Sequence, residues 1–183
     1  MMVLWIIVGV FVFVALIFII YYNRFVTLGN RIDNSLSQID VQLKKRADLV
    51  PNLINSVKGY AKHEKGIMDE VTKARKAFMS AKTMEQKIGK GAELQHALKS
   101  ILAVAENYPQ LRANENFLQL QQELAAIEDK VAYARQYYND SILSYNNLCK
   151  KFPGVLFASV YGKTSKKYLE IPAEERTVPK VNF

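Results

Sequence analysis

The side chains able to do chemistry are few, and their spacing does not assemble them. Histidine occurs twice, at His63 and His96, and cysteine once, at Cys149. His63-Glu64 opens like the helical zinc motif in which a second histidine follows four residues after the first. Here Lys65, Gly66 and Ile67 come next, so the second ligand is missing. Cys149 has no histidine near it in sequence and falls at the end of a regularly patterned apolar segment, which points to an inert packed thiol. A lone cysteine also excludes an intramolecular disulfide. The chain has no glycine-rich phosphate loop, no paired cysteines and no GxSxG elbow. The expectation is a protein that is not an enzyme, with no catalytic, metal or cofactor site and no small-molecule substrate.

Charge is the remaining chemical resource. The net charge is +8. From Arg24 to Lys90 there are fourteen basic and seven acidic residues, from Gly91 to Cys149 four and seven, and from Lys150 to Phe183 seven and three. A basic first helix beside an acidic later one accounts for much of this imbalance. The cluster Lys44, Lys45, Arg46 invites a nucleic-acid reading, but the aromatic residues lie on apolar stripes rather than among the lysines, so no nucleic-acid partner is expected. A straight helix would hold the cluster ~30 Å from a bilayer surface, several Debye lengths away. Lys163, Lys166 and Lys167 are the candidate lipid contacts, reaching the surface if the tail folds back.

The elements that must position these residues begin with an anchor. Val3 to Tyr22 carries no charge, and about twenty helical residues cover ~30 Å, one hydrocarbon core. Trp5 and the pair Tyr21, Tyr22 stand where interfacial aromatics belong. No Lys or Arg precedes the run and Tyr-Tyr-Asn-Arg-Phe follows it, which does not suit a cleaved signal peptide. Residues 1–23 therefore read as a single transmembrane anchor in the cell membrane. Arg24 and Arg31 on the far flank place a short N-terminus outside and residues 24–183 in the cytoplasm.

The rest is written in alternating steps of three and four. Ile32, Leu36, Ile39, Leu43, Val50, Leu53, Val57, Tyr60, Ile67, Val71, Ala74 and Phe78 form one seam, interrupted by Arg46 and Glu64. Phe117, Leu120, Leu124, Ile127, Val131, Ala134, Tyr138, Tyr145, Leu148 and Phe152 form another, with Ser141 its one polar member. Such registers predict long helices packed at shallow angles. A shorter helix lies between, bearing Leu94, Leu98, Ile101 and Ala105. It begins either at a capping box of Thr83 and Gln86 or, delayed by Gly89 and Gly91, at Ala92. Asn114 is the expected N-cap of the third helix, which stops at Pro153-Gly154. Pro51 predicts a kink in the first helix, or a break with Asp48 capping a new one. Gly154 to Gly162 predicts one or two helical turns on the bundle, and the tail from Tyr168 an irregular strap ending in Val181 and Phe183. The fold class is all-α: a transmembrane helix continuing into an antiparallel bundle of long helices with a short C-terminal segment.

Three blocks of sequence carry a family resemblance. YYNRFVTLGNRIDNSLSQIDVQLKKRADLVPNLINSVKGYAKHE, ENYPQLRANENFLQLQQELAAIEDKVAYARQYYNDSILSYN and the closing RTVPKVNF resemble, in that order, the LemA family, from about Tyr22 to Phe183. The resemblance implies a single-pass membrane protein with a cytoplasmic antiparallel bundle, in a family where some members are associated with magnetosome membrane formation. It supplies no catalytic residues.

Two functions follow as expectations. The first is a non-enzymatic scaffold or adaptor that self-associates, as a homo-oligomer, or docks another membrane protein. Its motive is a length mismatch: a first helix from Arg24 to about Ser80 would measure ~85 Å if continuous, twice what the second could retrace. Leu28, Ile32, Leu36, Ile39 and Leu43 would then be an unpartnered candidate interface. The second is direct contact with, or remodelling of, the lipid bilayer through Val155 to Tyr161 and Lys163, Lys166 and Lys167.

Overall fold

The computed structural model describes residues 1–169, and within them every regular element is helical. In order these are α1 (Met2–Tyr60), α2 (Lys65–Ser80), α3 (Met84–Val104), a 3-10 turn (Ala105–Asn107), α4 (Pro109–Arg112), α5 (Glu115–Lys150) and α6 (Gly154–Val160). They form two compact units. One contains residues 1–36 and 135–169; the other contains residues 37–134. Both α1 and α5 contribute a stretch to each.

The second unit is an up-down-up-down bundle, and its pairings give the directions. Lys87 Nζ holds both Asp40 carboxylate oxygens at 2.8 Å. A Cβ on Gly91 would meet Leu43 Cδ2 at 3.1 Å, and Arg46 donates to Gln95 Oε1 at 3.4 Å. Residue numbers rise together, so α3 runs parallel to α1. Arg46 also pairs with Glu128, while Asn114 Nδ2 donates to the Tyr60 hydroxyl at 3.0 Å, so α5 runs antiparallel. Arg46 is 2 % exposed, and a buried guanidinium needs such partners; Gln95 Nε2 donates to the same Glu128 carboxylate at 2.6 Å. Arg46 and Glu64 find different partners, as their separation requires, since Glu64 accepts from the Tyr108 hydroxyl at 3.1 Å.

Local signals set most boundaries. Thr83 and Gln86 form a reciprocal capping box, so α3 starts at Met84 and Gly89 and Gly91 lie inside it. Asn114 Oδ1 accepts from the Phe117 N–H at 3.0 Å and opens α5. The seams face inward: Val50, Leu53, Val57, Val71, Leu94, Ile101, Phe117 and Val131 are all buried. Tyr60, at 41 %, and Phe152, at 81 %, are exposed, Phe152 because it lies beyond the end of α5.

Of the two alternatives at Pro51, a kink or a break, the break does not occur. No new helix starts at Asp48; α1 carries Pro51 in its interior and ends at Tyr60. Proline leaves the carbonyl four residues back without its donor, and here that carbonyl belongs to fully buried Ala47. Arg75 of α2 supplies the missing donor, its Nε–H bonding to Ala47 O at 2.8 Å. The break falls instead at Ala61 to Glu64, which turns α2 back against α1. The single ~85 Å helix therefore does not exist, and α5, at 36 residues, is about as long as the part of α1 that follows Arg24.

Arg75→Met should leave a buried carbonyl unpaired and cost about 1–3 kcal/mol of stability. In a Pro51→Ala background the restored backbone N–H should absorb most of that loss. Thermal unfolding of the four full-length proteins of the cycle, followed by circular dichroism in detergent, measures the coupling.

Candidate functional site

The first unit holds the helix long and apolar enough to cross a membrane. Trp5, Phe11 and Phe13 are each more than 60 % exposed, and the most apolar window of α1 has nothing buried against it. A helix apolar on every side and bare of protein contacts over that length has the dimensions and surface of a bilayer span. At its far end the protein begins to cover it. Ile17 and Tyr21 are half-buried, and Phe25 is 2 % exposed.

What covers it is α6. Phe157 stacks on Tyr21 with ring centroids 4.2 Å apart and meets Phe18 edge-on at 4.9 Å. Tyr161 meets Tyr22 and Phe25 edge-on, and its hydroxyl donates to the Phe18 carbonyl at 2.7 Å. That bond satisfies a phenol that would otherwise be costly to hold against apolar rings. The inner face of α6 is Gly154, Phe157 and Ala158, all buried with Phe25, Ile32, Ile142, Tyr145 and Cys149. Gly154 is required by proximity, since a Cβ there would run into the Leu148 carbonyl oxygen. The outer face is Val155, Leu156, Ser159 and Val160, all exposed, with Phe152 beside it. A helix apolar on both faces, one of them bare, is the unusual feature of this unit.

After α6 the chain becomes a strap on α5. The Asn146 side chain accepts from the Lys166 N–H at 2.8 Å and donates to the Lys166 carbonyl at 2.9 Å. Asn139 does the same for Leu169, at 3.0 and 3.2 Å. The strap expected from Tyr168 onward lies, beyond Leu169 and including Val181 and Phe183, outside the described residues. The clips are absent from the sequence reading, and the signal that could have found them is two asparagines seven apart on one helix face.

The predicted site residues divide. Lys163, Lys166 and Lys167 are all exposed, and Lys166 Nζ sits 5.6 Å from the Tyr145 ring centroid, a cation–π distance. The stripe offered as an interface is a correction. Ile32 at 3 %, Ile39 at 0 % and Leu43 at 1 % exposure are buried by the chain's own helices, and Leu28 and Leu36 are half-buried. The mismatch that would have left them bare disappeared with the turn at Ala61 to Glu64. Among the described residues no group of three or more His, Cys, Asp or Glu is placed to hold a metal ion. Burial holds the Cys149 thiol above its usual pKa.

The geometry is that of an apolar helix joined to a self-covered bundle, and sequence comparison agrees with it. Residues 35–183 match the model of the LemA family. The chain belongs to the LemA family. Magnetosome protein MamQ of Magnetospirillum gryphiswaldense is 26% identical over 184 residues, an alignment covering 86% of this chain and 68% of that one. MamQ 2 of Paramagnetospirillum magneticum is 25% identical with the same coverage. Protein LemA of Metamycoplasma hominis is 25% identical over 144 residues, 76% of this chain and 63% of its own.

Gly154→Ala should undock α6 while leaving the α1–α3 pairings intact. Hydrogen exchange should quicken at the Val155 to Tyr161 amides and stay unchanged through α3. Cys149 gives a pH test. Its raised pKa keeps the thiol protonated, so the stability it contributes is complete below the ordinary thiol pKa and is lost as pH climbs through the raised one. Alkylation in the folded protein should stay slow at mildly alkaline pH and reach the rate of a free thiol on unfolding.

Proposed function

We propose that this protein is a non-enzymatic, membrane-anchored member of the family that grips the cytoplasmic bilayer surface at a second point, through α6. The two-sided apolar character of α6 carries the reading. Its inner face is spent on Phe18, Tyr21 and Phe25, which leaves Val155, Leu156 and Val160 bare beside the last turn of the span. Phe18 lies four residues inside Tyr22, so α6 would sit ~6 Å below the end of the span, within the depth range of interfacial helices.

The surrounding charge supports the same placement. Lys150, Lys151 and Lys163 flank α6 on both sides and are exposed, as cationic side chains facing anionic headgroups should be. Arg24 and Arg31 on the same side of the span favour the cytoplasm for this end, with the short N-terminus outside. Contact between α6 and the span also gives Val3 to Tyr22 a structural task that a cleaved leader would not have. The scaffold reading loses the bare stripe that motivated it, and lipid takes the place of a second protein copy.

A spin label tests this. With Cys149 replaced by Ser and Leu156 by Cys, the full-length protein is labelled and reconstituted in phospholipid vesicles. The label should be more accessible to oxygen than to a water-soluble nickel chelate, as at a site just below the phosphates. Chelate access equal to that of a label at exposed Lys44 would refute the contact.

A further inference from the structure

A groove of about 830 Å³ opens between α1 and the end of α5 in the first unit. Its middle lies about a third of a turn round α1 from the α6 contacts, and Tyr21 and Gly154 stand at the edge the two share. Its wall changes character along its length. Ile20, Tyr21 and Phe152 line the part beside the span, and Arg24, Lys151 and Arg31 line the part beyond it, with Leu28 and Leu148 among them. Thr27, Ser144 and Asn147 add neutral hydrogen-bonding groups, and no carboxylate of the described residues lines the groove. Three cations share one concavity with no anion of the described residues among them, beside apolar side chains.

We infer that this groove binds the headgroup of an anionic phospholipid from the cytoplasmic leaflet. Depth and chemistry coincide. Arg24 follows the span's end by two residues, ~3 Å, and so lies within the headgroup layer, while Arg31 stands ~10 Å farther out. A lipid phosphate beside Arg24 and Lys151 places its acyl chains along Ile20 and Phe152, where lipid belongs. Arg31 then faces the outer edge of the headgroup. Guanidinium groups supply forked donors suited to phosphate oxygens. A free phosphate would use the cations but leave the apolar side chains wet, and for that reason the lipid is favoured. Basic pockets beside a span are a recurrent means of anionic lipid recognition.

The inference shares with the proposed function the insertion of α1 in a bilayer, but not the contact made by α6, and the two fail separately. The test is native mass spectrometry of the full-length protein released from mixed micelles of phosphatidylglycerol and phosphatidylcholine. Wild type should retain phosphatidylglycerol in preference. The combined variant Arg24→Gln, Arg31→Gln, Lys151→Gln should reduce that preference about tenfold or more. Lys44→Gln, Lys45→Gln, Lys58→Gln removes the same charge elsewhere and should retain it, and Arg24→Lys with Arg31→Lys should restore most of it. The Leu156 label read in each variant reports α6 independently and should keep its depth. Equal retention in wild type and the groove variant, an equal loss in the charge-matched control, or displacement of the lipid by inorganic phosphate would overturn the assignment.

Discussion

A proline can lie inside a helix that serves as both span and bundle strut only if something else serves the carbonyl it abandons. In this protein that something is the Arg75 Nε–H, reaching from α2 to Ala47 O. The bond does two things together. It keeps α1 whole from Met2 to Tyr60, and it fixes α2 against the buried stretch around Ala47 and Val50. The remaining pairings follow from a continuous α1. Asp40, Leu43 and Arg46 present successive turns to α3, and Arg46 and Tyr60 present two more points to α5. Leaving that carbonyl without a donor in the core would cost about as much as a typical destabilising mutation.

Much of this was legible in the residues, and what was not has a common cause. The two three-four registers announced long helices, and Thr83, Gln86 and Asn114 announced where two of them begin, because caps are local hydrogen bonds between near neighbours. The turn at Ala61 to Glu64 was hidden because the apolar rhythm keeps phase across it, from Val57 through Glu64 to Val71, and a period has no way to register a reversal of direction. Pro51 leaves a kink and a break equally open in the sequence because the partner that serves the abandoned carbonyl lies 28 residues from it. The hidden turn reached the site as well. A first helix thought twice as long as its cover left Leu28 to Leu43 apparently bare, whereas the turn shortens that helix and α5 reaches back along it.

The bilayer end shows the converse. Apolar residues from Val155 to Val160 were visible as a short helix, but composition does not say which of its faces is already occupied. Only the stacking of Phe157 on Tyr21 and the bond from Tyr161 to Phe18 assign the inner face and leave the outer one free. The groove was likewise invisible, since Arg24 and Lys151 are distant in sequence and meet only because α5 ends where the span does.

The asparagine clips have a metrical consequence. Asn139 and Asn146 are ~10 Å apart along α5, and the three steps from Lys166 to Leu169 cover ~10 Å in the opposite sense if extended. Two scales of different pitch coincide at one offset, as on a vernier. Shifting the extended segment by a single residue moves it ~3.3 Å, which matches no multiple of the helical repeat, so both amides lose their backbone partners together. The device sets the alignment of chain against helix through paired amide hydrogen bonds, and a shift in register breaks both pairs together.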